Sequence, residues 1–196
     1  GRRIRRSGFD PLGVQQLEVR SLLSVSILNN GGQGVQGLNY SQSNGYVPPD
    51  TDFACGDASH VETVNQAVGL GTSHSSAIDV YDSMSHFFFT VGHLTRTDSG
   101  STLSDPCCDT EVFGGTTRYV ICDQDTDTVS AMSSLDIAVS KNGNPQTLTA
   151  ADWTFYKVST TEANEIADYP GNFHNTNDAI VCTLNMFASG PGGTYH

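Results

Sequence analysis

The sequence predicts an all-β protein of antiparallel strands, and three observations carry that expectation. Leu135, Ile137 and Val139 alternate with Asp136, Ala138 and Ser140, the period-2 pattern of a strand with one buried face. A second run, Trp153 to Val158, is rich in the aromatic and β-branched residues that favour a pleated surface. Glycine supplies 20 of 196 residues, above the usual ~7%, and Ser, Thr, Asn and Asp are abundant. Long Leu/Ala/Glu/Lys-rich amphipathic segments are missing, which excludes a helical bundle.

Taken in order, residues 1–28 form a basic N-terminal segment and residues 29–45 a Gly/Asn/Ser linker with almost no core-forming residues. Residues 46–196 form the folded domain. Val47-Pro48-Pro49 is extended, because the residue before a proline is pushed out of the helical region. Strands are expected at His60 to Val68 and Ala77 to Tyr81, with Gly69 to Ser76 as the loop between them. His86 to Val91, strongly apolar, fits a buried strand or a helical turn. Thr95 to Ser104 reads as loop and Arg118 to Cys122 as strand. Asp123 to Ser134 reads as a polar loop leading into the strand at Leu135. Asn142-Gly143-Asn144-Pro145 is turn chemistry. Ser159 to Ile166 suits one helical turn, Ala179 to Phe187 a last strand, and Ala188 to His196 a Gly/Pro loop. Strands at this spacing indicate a sandwich, barrel or propeller.

Charge narrows the partners. Residues 1–20 hold five arginines against Asp10 and Glu18, a net +3. The rest holds Arg96, Arg118, Lys141 and Lys157 against 19 acidic residues, a net −15. A body that acidic argues against nucleic acid, whose binding rests on Lys and Arg. Cations, neutral glycans or simple solubility remain compatible. No run of 18 apolar residues occurs, so no helical membrane span is expected.

Candidate chemistry falls in three groups. Asp123, Asp125 and Asp127 have a D-x-D-x-D spacing that brings alternate carboxylates to one side of a loop around a hard cation such as Ca2+. An EF-hand is excluded, because Thr128 and Ser134 stand where Gly and Glu are required. Asp50, Asp105 and Asp168 each sit in an Asp/Pro turn, and a shared site built from them would supply acid/base carboxylates. The odd count of five cysteines leaves at least one free thiol. Cys107 or Cys108 could bond Cys55 in an oxidising compartment, while Cys122 and Cys182 read as small buried hydrophobes. The histidines show no metal-ligand spacing, no G-x-S-x-G elbow is present, and neither a P-loop nor a Rossmann glycine pattern occurs.

The order of motifs from Val47 onward resembles a family of secreted bacterial β-propeller-like domains. It runs PPDTDFACGDASHVETVN (Pro48 to Asn65), Phe87-Phe88, Ser104-Asp105-Pro106, Arg118-Tyr119-Val120, LDIAVS (Leu135 to Ser140), Trp153 to Val158 and Asp168 to Gly171. Phe53 or Ala54 replaces the family's usual Gly, Cys107-Cys108-Asp109 departs from its pattern, and no Asp-box is present. Phe9 to Ser26 is similar to the LE-x-R-x-LLS segment of large exported surface proteins of planctomycete-type bacteria. The resemblance implies a partial propeller located outside the cell or in the envelope, and brings no catalytic residues with it. The expected role is a non-catalytic module for binding or self-assembly. Its partners would be further copies, a C-terminal continuation, a glycan or a surface protein. The alternative is a glycan-processing hydrolase or lyase using Asp50, Asp105 and Asp168.

Overall fold

The computed structural model describes residues 35–188 except 74, 75, 164, 172 and 176–178, and of 173–175 the backbone alone. The basic segment 1–28 and the C-terminal loop from 189 lie outside the described residues. The chain is all-β, built on two four-stranded antiparallel meanders. The first runs β1 (Asp52–Cys55), β2 (His60–Val64), β3 (Ala67–Gly71) and β4 (Val80–Ser83). The second runs β5 (Thr102–Phe113), β6 (Thr116–Asp127), β7 (Met132–Ser140) and β8 (Trp153–Ser159). A π-helical turn at His86–Val91 lies between them. Four short strands follow, β9 (Glu165–Asp168), β10 (Phe173–Asn175), β11 (Ile180–Cys182) and β12 (Asn185–Ala188), with β9 pairing β12 and β10 pairing β11. The sheets do not close into a ring.

The meanders face one another across the main core. Val61, Val68 and Leu70 of the first sheet meet Leu103, Tyr119, Ile121, Ala138 and Trp153 of the second. Phe87 fills the space beside them, edge-on to Trp153 at 5.6 Å and to Phe155 at 5.0 Å between ring centres. Edge-to-face packing suits the ring quadrupoles. Trp153 is 1% exposed, and its indole N–H donates to the Thr147 carbonyl at 2.7 Å. Gly92 follows the turn because a Cβ there would lie 2.6 Å from both Phe155 and the Phe88 carbonyl.

Several expected boundaries move. Residues 60–68 form two strands, because Asn65-Gln66 makes a hairpin turn with Gln66 at φ 72°. The polar run from Asp123 is strand rather than loop, with only residues 128–131 left as turn. β5 extends through residues read as loop and turn, carrying a bulge between Ser104 and Cys107 that absorbs Asp105-Pro106. It joins β6 through Gly114-Gly115, both at positive φ as a tight hairpin requires. Glu165–Asp168 forms strand instead of a helical turn, and the last expected strand divides into β11 and β12. The linker expected at 29–45 is packed where described. Leu38 N–H donates to the Glu62 carboxylate at 2.7 Å, and Ile78 N–H to the Gln36 carbonyl at 3.2 Å.

Since Trp153 joins the aromatic cluster to the hairpin 141–152, Trp153→Ala is expected to cost about 3–5 kcal/mol of stability. Urea unfolding checks this; a loss under 1 kcal/mol would mean that the two sheets do not depend on this ring.

Candidate functional site

Three segments distant in sequence converge on one cleft of about 600 Å³, lined by Asp50 to Phe53, Asp105 to Asp109 and Tyr169 to Gly171. The β2–β3 turn organises it. Asn65 is 2% exposed, and its side-chain N–H groups donate to the Asp50 carboxylate at 2.6 Å and the Pro48 carbonyl at 2.9 Å. Its side-chain oxygen accepts the Asp105 backbone N–H at 2.8 Å. One amide thus clamps the Asp50 turn to the β5 bulge, using both donors and one acceptor site. Asp52 completes the attachment by accepting the Cys108 N–H at 2.9 Å. Asp50, Asp105 and Tyr169 hold positive φ of 40°, 53° and 55°, strain that persists only where the surroundings enforce it.

The carboxylates expected to share a site are therefore neighbours. Asp50 and Asp105 line the cleft. Asp168 reaches Asp105 from the adjoining hollow, which it lines with Ser104 and Asp127. Burial pushes the Asp105 carboxyl above its usual range, the charges of Asp168 and Asp50 reinforce this, and Ser104 opposes it.

The D-x-D-x-D residues are placed differently. Asp123, Asp125 and Asp127 share one face of β6, turned toward the first sheet, and each is buried. Asp127 accepts the N–H groups of Val129 and Ser130, capping the β6–β7 turn. Asp125 and Asp136 accept the Lys157 ammonium at 2.8 and 2.6 Å, so a side chain of this chain supplies the cation. Asp123, Asp136 and Lys157 form a row of directly opposed residues across β6, β7 and β8. Burial pushes Asp136 up to about 6 against the pull of Lys157. Burial also acts on Asp125, but Lys157 and the Thr97 N–H outweigh it and hold it below the usual range. Asp123 has no hydrogen-bond partner on either carboxylate oxygen. Burial first, then the Asp136 charge, drives it well above the ordinary range, leaving a neutral acid. Among the described residues, no group of three or more His, Cys, Asp or Glu side chains is placed to hold a metal ion.

All five cysteines are free. Cys108 points into the main core, where its thiol meets the Val61 carbonyl at 3.9 Å and the Thr63 hydroxyl at 3.7 Å. Cys55 is exposed on β1. Cys107 turns to the opposite face of the second sheet and packs with Cys122 and Cys182, a grouping absent from the sequence expectations. Asn65 also went unrecognised there; its place in a hairpin between two short apolar runs was the available signal. No family model matches this chain, and neither a curated protein nor a solved structure matches it.

Because Asp123 holds a proton in the folded state that the unfolded chain releases above about pH 4, its contribution to stability is full below that pH. The contribution is lost as pH rises toward the raised folded value. Asp123→Asn removes this cost. At pH 7 the variant is expected to be more stable than the parent, and near pH 4 to show no such gain. Denaturant midpoints measured at both pH values check this, and an identical difference at the two would show an ionised Asp123.

Proposed function

We propose that this chain is a non-catalytic extracellular or cell-surface module that associates with further copies of itself through the outer face of its second sheet. The observation that carries this reading is an open apolar hollow of about 470 Å³ on that face, between Phe113, Ile137, Val139, Tyr156, Val158 and Ile180. Tyr156 and Val158 are 52% and 48% exposed there. Contiguous apolar surface of this kind marks a contact site more often than bare exterior. Beside it runs β8, the edge of its sheet among the described residues, and an edge strand presents backbone groups to a pairing partner. A formal net charge of −12 makes copies repel at low salt, and screening relieves this. The order of motifs and the basic N-terminal segment support the extracellular placement and the propeller-like class. The two successive meanders have the connectivity of propeller blades.

Glycan processing is the second reading, favoured by the raised Asp105 carboxyl in an acidic cleft. Glycosidase pairs stand ~5–10 Å apart in one open cleft, whereas Asp168 lies in the hollow adjoining the cleft that holds Asp50 and Asp105. That reading therefore needs Asp50 as the second group. This geometry is why the non-catalytic role is preferred.

Sedimentation equilibrium is expected to show concentration-dependent association that strengthens between 50 and 500 mM salt and falls at least tenfold in Tyr156→Arg. A strictly monomeric parent at high salt and high concentration would sink the assembly reading. Release of reducing ends from a polysaccharide panel, lost in Asp50→Asn and in Asp105→Asn, would establish the rival.

A further inference from the structure

The second face of the β5–β8 sheet holds an arrangement that the assembly reading does not use. Cys107 and Cys122 are direct cross-strand partners on β5 and β6. Opposed residues of an antiparallel pair have Cα atoms about 4.5 or 5.5 Å apart and side chains on the same face. Both spacings fall within the range of about 4.4–6.8 Å that a disulfide spans. The bulge immediately before Cys107 lets that end of β5 adjust without disturbing the rest of the ladder.

Cys182 enters the same cluster from β11, its Sγ 3.5 Å from the carbonyl oxygens of Gly171 and Thr183. Cys107 and Cys182 are both half-buried, and Cys107 also lines the acidic cleft, whereas Cys122 is fully buried. Within the cross-strand pair a soluble oxidant therefore meets Cys107 first, and Cys122 reacts only through it.

We propose that Cys107 and Cys122 are an oxidation site that closes into a cross-strand disulfide, with Cys107 as the sulfur that meets the oxidant. With a small-molecule disulfide as oxidant, the Cys107 thiol loses its proton and its sulfur attacks one sulfur of the reagent. An S–S bond forms to Cys107, the reagent's own S–S bond breaks, and one small thiolate leaves and takes up a proton. The Cys122 sulfur, likewise deprotonated, then attacks the Cys107 sulfur. The protein disulfide forms and the second small thiolate leaves. Two protein thiols are oxidised and one reagent disulfide is reduced to two thiols. A hydrogen bond with Cys107, then burial, holds the Cys122 thiol well above its usual range. Burial and Cys107 push Cys182 up to about 11. The second step is accordingly the slow one and quickens with pH, since the thiolate is the attacking species. The inference stands independently of the assembly reading.

The test uses the full folded chain with oxidised glutathione, followed by alkylation, cleavage at Lys and Arg, and mass spectrometry. Cleavage places Cys107 and Cys108 in residues 97–118, Cys122 in 119–141 and Cys182 in 158–196. The expected product links 97–118 to 119–141. It persists in Cys108→Ser and in Cys182→Ser, and disappears in Cys107→Ser. Oxidation is expected to raise the thermal midpoint by roughly 5–10 °C, reversibly with a reductant. A link to 158–196 in place of 119–141, a link that survives Cys107→Ser, or Cys107 and Cys122 both alkylated while Cys55 is glutathionylated, would each overturn the assignment.

Discussion

A single buried amide ties together the end of this molecule that carries the acidic cleft. Asn65 satisfies the Asp50 carboxylate, the Pro48 carbonyl and the Asp105 backbone N–H at once. The two segments it joins lie on different sheets, and together with the Asp52 carboxylate, which accepts the Cys108 N–H, this amide fixes their alignment. No charged residue of similar size could do this, because a carboxylate only accepts and an ammonium only donates. The cleft and its positive-φ aspartates follow from that attachment.

The second sheet carries a different burden on each face. Toward the first sheet, the aromatic cluster occupies one end, while the row of Asp123, Asp136 and Lys157 occupies the other. Asp125 and Asp136 share the Lys157 ammonium, while burial pushes Asp123, which the ammonium does not reach, well above the ordinary carboxyl range. The neutral Asp123 is thus the counterpart of the ion pairs beside it, and its burial is a cost borne by the fold. On the opposite face, β9 docks where Ala167 N–H donates to the Ser133 hydroxyl at 3.0 Å. The three thiols follow, and beyond them the apolar hollow opens to solvent.

Position along a single face of β6 explains why aspartates of one sequence pattern behave so differently. Asp127 lies at the strand end, where free backbone N–H groups need an acceptor. Asp125 lies within reach of Lys157, and Asp123 reaches neither. Their spacing is identical, and only their depth along the strand distinguishes them. A hard-cation site requires oxygens that converge on one point, whereas a flat strand spreads them about 7 Å apart along its axis.

Much of the architecture was legible in the residues. Leu135, Ile137 and Val139 alternate with polar partners, and β7 follows that alternation because side-chain direction along a strand is a property of neighbouring residues alone. Glycine and proline likewise mark turns through their own φ preferences, as at Asn142 to Pro145. Other features depend on what lies opposite. Asp123 to Asp127 reads as loop by polarity, yet becomes strand because β7 and Lys157 receive it. Asp50, Asp105 and Asp168 are separated by more than fifty residues at each step, and only the packing of three segments brings Asp50 and Asp105 to one cleft and Asp168 to the hollow beside it. Cys107 and Cys122 become partners through the register of β5 on β6, where a shift of one residue would turn one of them to the other face. The sequence by itself determined the all-β class and most of the strand-forming runs, since these arise from local periodicity and backbone preference. The tertiary structure alone decided which carboxyl groups keep their charge and which thiols meet, because burial and pairing are set by residues far away along the chain.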